Sequence, residues 1–190
     1  MKAVVVDFDG TLFRGNSFED CVLLTLKRLR RKGKVVSYGR ICLWVVLRKL
    51  RLISHARLKY QIQPLLEKRY DAQSFLLHLR KGLNEEVWEE CKLYRDMGYH
   101  LCLATAACDF YIKPLAELLD FDSYCATPNS QKPYALWSEN RGETKKQHCL
   151  QCLARHNAQL ELVITDHSDD APLLAIAPHH IIIDPCHTSR

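Results

Sequence analysis

The chain has 190 residues, 47% of them apolar and 26% charged, with a formal net charge of +5. That is enough to bury one substantial core, or one core plus a small accessory module, and it excludes both a disordered chain and two full domains. The start Met1-Lys2-Ala3-Val4-Val5-Val6 reaches Asp7 without an apolar stretch long enough for a secretory signal, so a cytoplasmic protein is expected.

In chain order, Ala3 to Val6 is a short β-branched run and reads as a buried strand. From Arg14 to about Lys81 no strand candidate is flanked by turn signals, and the stretch reads as successive amphipathic helices. Glu85 to Met97 then has helix period, His100 to Ala104 reads as a strand, and Ile112 to Leu119 is helical again. Leu160 to Ile164 and His180 to Ile183 are the remaining strand candidates. Strands alternating with helices predict an α/β fold, a Rossmann-like parallel sheet with helices on both faces, carrying a small all-helical insert.

The two parts differ in charge. Residues 14–81 hold 17 Lys and Arg against 4 Asp and Glu, a formal +13, which leaves −8 for the remainder. This asymmetry divides the chain into an acidic core, 1–13 with 82–190, and a basic helical insert, 14–81. The most apolar run of the insert, Ile41 to Leu47, is followed by Arg48, Lys49 and Arg51, too short and too charged to span a bilayer. Its burial inside a helical bundle is favoured over interfacial contact with an anionic membrane. No nucleic-acid-binding motif accompanies the charge, so no nucleic-acid partner is expected.

Nine cysteines, an odd number without repeated spacing, argue for reduced thiols. Cys149 and Cys152 have a zinc-like gap but no second pair at a matching distance, and the nine histidines lack convergent partners in sequence. Both sets read as ordinary core or surface residues.

The chemistry concentrates at strand ends. The first strand runs into Asp7-Phe8-Asp9-Gly10-Thr11-Leu12, which puts two carboxylates at the carboxyl edge of a parallel strand, where open α/β sheets bind ligands. Gly10 permits a sharp turn with backbone N–H groups facing a phosphate. Two carboxylates this close ask for a cation or a shared proton, and oxygen-only ligands favour Mg²⁺. Asp166 and Asp170, in the loop after the strand Leu160 to Ile164, emerge at the same edge and complete an oxygen shell, unless the acidic turn merely caps the helix near Ala171.

These motifs, with DFDGTLFRGNSF from Asp7 and LATAACDFYIKPLAELLDFDSYCAT from Leu103, resemble the haloacid dehalogenase-like hydrolase superfamily, most closely its phosphoserine-phosphatase-like branch. The resemblance covers nearly the whole chain and implies a helical cap where the basic insert lies. It implies Asp7 as nucleophile, Asp9 as general acid/base, Thr105 and Gly10 as phosphate contacts, and Asp7, Asp9, Asp166 and Asp170 around Mg²⁺. The family's lysine, three positions after a glycine, falls on Lys145 after Gly142, with Lys146 as competitor. Thr165 and His167 depart from the common Gly-Asp-Ser of that loop. Asn16 and Ser17 are expected to face the substrate from the cap, unless they form a helix cap.

The function so implied is phosphate-monoester hydrolysis through an aspartyl-phosphate on Asp7, with a small phosphorylated metabolite as substrate. A phospholipid phosphate of the phosphatidylglycerophosphate type, a non-catalytic phosphate-binding protein and phosphotransfer to another acceptor stay open, as does the oligomeric state.

Overall fold

A computed structural model describes residues 1–184. Strand β1 (Lys2–Val6) is followed by four helices, α1 (Ser17–Arg31), α2 (Val35–Lys49), α3 (His55–Arg69) and α4 (Ala72–Lys81). The chain continues through α5 (Glu85–Asp96), β2 (His100–Cys108), α6 (Asp109–Leu118) and β3 (Ser123–Thr127). It ends with α7 (Gly142–Arg155), β4 (Gln159–Thr165), α8 (Ala171–Leu174) and β5 (His179–Ile182). All five strands are parallel in the order β3-β2-β1-β4-β5. The α/β class, parallel sheet and helices expected from the sequence are those observed.

Strand order reverses at β1, whose Val6 pairs with Leu103 of β2 on one side and Ile164 of β4 on the other. After Lys2 the strand is apolar and buried, because both its faces are covered. Val4 and Val6 face a core shared with Leu101, Leu103 and Tyr111, while Ala3 and Val5 face a second core with Cys102, Val163 and Leu153. Helices α5 and α6 supply the first face, and α7 and α8 the second. Three of the four inserted helices begin at side-chain caps: Asn16, Ser54 and Asp71 accept from Glu19, Arg57 and Ser74 N–H.

Three differences from the sequence reading have physical causes. Strand β3 was not expected, because SYCAT is short, alternates buried with half-buried residues and lacks an aliphatic run. Strand β2 continues past Ala104 to Cys108, though its pairing with β3 is irregular there, so Thr105 lies within the strand. The apolar run of α2 is not bundle core. Ile41 alone is buried, and Leu43 and Val46 are 56% and 49% exposed. Helix α2 packs on α1 and α3 through one stripe that includes Tyr38, Ile41, Trp44 and Val45, which leaves its opposite side to solvent.

Among the described residues no helix is long and apolar enough to cross a membrane. The eight described cysteines are free thiols, and Cys186 lies outside the described residues. Cys102, Cys125 and Cys152, far apart in sequence, bring their sulfurs within 4.8 Å of one another in the second core, where Cys149 also packs.

Candidate active site

The reversal of strand order puts the ends of β1 and β4 side by side, and the Asp7 N–H donates to Ile164 O at 2.9 Å. The loops after both strands therefore open on the same edge of the sheet. Thr11 ties them together: its hydroxyl donates to Asp166 Oδ1 at 2.7 Å and accepts from the Asp166 N–H at 2.9 Å.

Lys145, in the first turn of α7, is 4% exposed and donates to Asp7 Oδ1 and Asp170 Oδ2, both at 2.7 Å. Thr165 donates to the same Asp170 oxygen at 2.7 Å. Lys146 instead lies outward, paired with Glu143 at 2.8 Å. Burial alone works against the Lys145 charge, but Asp7 and Asp170 outweigh it and hold the amine above the ordinary lysine range. Burial likewise raises Asp7 to about 6, with Lys145 opposing and Asp170 adding to the rise.

Asp9 Oδ1 accepts the Ser17 N–H at 2.7 Å, the first amide of α1. Burial is again the largest influence and raises Asp9 to about 6, against the stabilising Ser17 hydrogen bond. Thr105 is fully buried and its Oγ1 accepts from Ala107 N–H at 3.0 Å. Asn140 fixes this segment by donating to Thr105 O and Cys125 O at 2.9 and 3.0 Å.

Asp7, Asp9, Thr105, Lys145 and Asp170 converge on one cavity of about 380 Å³. The opposite wall comes from the inserted helices: Asn16, Phe18, Glu19, Arg48, His55 and Lys59. Lys59 is buried, pairs with Glu139 and donates to Ala106 O at 2.8 Å, so it joins α3 to the chain after β2. Arg141 pairs with Asp169 at the rim. Burial and the neighbouring Lys59 hold His55 below its ordinary pKa. No spacing in the sequence marks Arg48, His55, Lys59 or Glu139. Only the basic bias of the insert pointed toward such a wall.

Two expected contacts are placed elsewhere. The Gly10 N–H donates to Phe13 O at 2.9 Å, inside its own turn, and is not turned to a phosphate. What requires glycine there is φ of +83° together with the Asp166 carboxylate, which a Cβ would overlap. Ser17 is fully buried with Oγ on the Tyr111 hydroxyl at 3.1 Å, so its side chain faces the core and not the cavity. Asn16 does line the cavity, while its Oδ1 caps α1 through Glu19 N–H at 3.1 Å.

A family model described as haloacid dehalogenase-like hydrolase matches residues 4–175. The chain belongs to this family. As a haloacid dehalogenase-like hydrolase it also shares its fold with solved structures at low identity. One is a protein of unknown function from Bordetella pertussis Tohama I, with TM-score 0.71 and 17% identity over 95% of this chain and 89% of that one. Another is a phosphoserine phosphohydrolase-like protein from Francisella tularensis, with TM-score 0.53 and 18% identity over 96% and 87%. A probable phosphoserine phosphatase from Vibrio cholerae has TM-score 0.63 and 15% identity over 95% of this chain but 55% of its own length. No curated protein matches the chain.

The acidic groups have the oxygen chemistry of a hard divalent cation, although among the described residues no three of them bring their oxygens within 4.8 Å of one another. Asp7 and Asp170 share Lys145, Asp9 lines the same cavity, and Asp166 is held by Thr11 on the adjoining loop outside the cavity lining, while Lys59 and Arg141 are already paired with Glu139 and Asp169. Negative charge is thus left over at an all-oxygen donor set, the chemistry Mg²⁺ prefers. Asp170 has one oxygen held by both Lys145 and Thr165, which suits it to positioning the lysine.

Proposed function

We propose that this hydrolase cleaves phosphate monoesters through an aspartyl-phosphate on Asp7. The observation that carries the reading is the Asp7 carboxylate itself, set at the end of the central strand, facing a cavity and held in place by buried Lys145. A carboxylate so oriented attacks phosphorus in line with the leaving oxygen, and the acyl-phosphate formed is then hydrolysed by water, so one hard step becomes two easier ones.

Asp9 suits both half-reactions. Burial raises its carboxyl toward neutrality, which suits it to donate a proton to the leaving alkoxide and, as carboxylate, to take one from the attacking water. Lys145 offsets charge on Asp7 and on the phosphoryl oxygens, and the Thr105 hydroxyl is positioned to donate to one of them. Asp7, Asp166 and Asp170, on the loops after β1 and β4, are the carboxylates that would hold Mg²⁺, leaving Asp9 to carry its proton; the ion when bound supplies further charge neutralisation. The inserted helices cover the cavity, so Asn16, Glu19, Arg48 and His55 are the side chains that a leaving group meets.

The test is release of p-nitrophenol from p-nitrophenyl phosphate with and without Mg²⁺, together with acid-quench trapping of labelled phosphate on the protein. Mg²⁺-dependent turnover and a trapped phosphoprotein, both lost in Asp7→Asn, are expected. Turnover by Asp7→Asn near the unsubstituted rate would refute the mechanism.

A further inference from the structure

The cavity does not close beside the carboxylates. Its wall of Phe18, Glu19, Arg48 and His55 is shared with a second groove of about 510 Å³ between α1, α2 and the start of α3. Val22, Leu26, Val45 and Leu58 give this groove an apolar lining, and Arg48, Lys49 and Arg51 stand at its edge. An apolar groove that shares a wall with a polar, carboxylate-lined cavity has no use for a leaving group that is polar throughout.

The same helices present an apolar stripe outward. Leu43, Val46 and Leu50 recur along one face of α2 with exposures of 56%, 49% and 63%, and Leu23 of α1 and Leu52 beyond α2 are 54% and 68% exposed. Single exposed leucines are ordinary; a stripe at helical spacing is not. From Cys21 to Leu66 there are 12 Lys and Arg and no acidic residue. Electrostatic capture of a soluble anion would explain the charge but not the stripe, and a protein partner's apolar patch would explain the stripe but not the lack of acidic residues. A sheet of anionic headgroups over hydrocarbon matches both.

We propose that this face rests on an anionic bilayer and that the substrate is the phosphate monoester of a lipid, its headgroup phosphate in the Asp7 cavity and its acyl chain in the groove between α1 and α2. The proposal rests on the hydrolase reading above and names the substrate class for that site. The protein lies on the membrane and does not span it, in keeping with the absence of a spanning helix among the described residues.

Two measurements on the full chain test this. The first is cosedimentation with vesicles of phosphatidylcholine alone or mixed with phosphatidylglycerol. Pelleting with the mixed vesicles only is expected, and loss of pelleting in Leu43→Glu/Val46→Glu/Leu50→Glu while p-nitrophenyl phosphate is still hydrolysed. If the triple variant fails to fold, Leu50→Glu alone, at a solvated helix end, gives the same reading. The second is hydrolysis of phosphatidic acids of increasing chain length below their micelle concentrations, against glycerol 3-phosphate. KM should fall roughly four-fold per methylene until the groove is full, the fold-change equivalent to about 0.8 kcal/mol. A chain that stays in the supernatant with mixed vesicles, or that cleaves glycerol 3-phosphate as efficiently as the lipids, overturns the proposal. Absence of all Mg²⁺-dependent phosphatase activity would instead refute the hydrolase reading, and cosedimentation would still decide the membrane face.

Discussion

Lys145 keeps its charge in a buried position because two carboxylates face it, and each of them depends on that charge in turn. Lys145→Met should therefore reduce kcat by several orders of magnitude and leave Asp7 and Asp170 to repel each other, whereas Lys146→Met loses an exposed pair worth at most about 1 kcal/mol and should keep its rate. Steady-state kinetics of the two variants check this. Asp9 makes a different prediction in metal-free protein. Its folded pKa of about 6 lies above the unfolded value of 3.8, so between these values the folded state holds more protons and stability falls as pH rises through the window. Asp9→Asn removes that loss. Its thermal midpoint in EDTA should exceed the unsubstituted protein's above pH ~6, by about 1–3 kcal/mol of stability, and the gain should vanish toward pH ~4. Turnover should drop roughly 10²–10⁴-fold. Asp7, Asp9, Thr105 and Lys145, each read from the end of a strand or the start of a helix, do converge on one cavity. The Gly10 N–H and the Ser17 hydroxyl find partners inside the fold, because sequence does not say which acceptor an N–H will find or which way a hydroxyl will point.

Helix α3 is joined to the sheet edge by polar contacts from Lys59, Tyr60, Gln63 and Glu67, of which the Lys59–Glu139 pair and the bond from Lys59 to Ala106 O are the ones with a buried charge. Lys59→Met would strand the Glu139 carboxylate in a poorly solvated place, and a stability loss of about 3–5 kcal/mol is expected by denaturant titration. Adding Glu139→Gln should recover part of it, so that the double substitution costs less than the sum of the singles. The strands were readable to the extent that they carry aliphatic runs, whether central like β1 or at the edge like the exposed β5. Strands β1, β2, β4 and β5 carry aliphatic runs, but β3, with Ser123 and Tyr124 in an edge position, carries none. For α2 the apolar run was visible and its burial was not, since hydrophobicity fixes neither the number of neighbouring helices nor the side left without one.

At the scale of the whole molecule, the inserted helices bring a basic, partly apolar wall up to an acidic strand-edge site. The charges do not mix along the chain: residues 14–81 carry a formal +13 and the rest −8. Such a protein is a strong electric dipole whose modest net charge conceals it. It should bind both cation- and anion-exchange media near its pI of about 8.7, eluting from each only with salt. Opposite-signed surfaces on one particle also invite head-to-tail contacts, which do not close into a defined oligomer. Light scattering should thus show association in dilute buffer that disappears near physiological ionic strength, where the Debye length falls to about 8 Å. Association that persists in salt would point to the apolar stripe as its cause. The lopsided charge then bears on colloidal behaviour as well as on the site: the protein should be salted in, and least soluble where ionic strength is lowest.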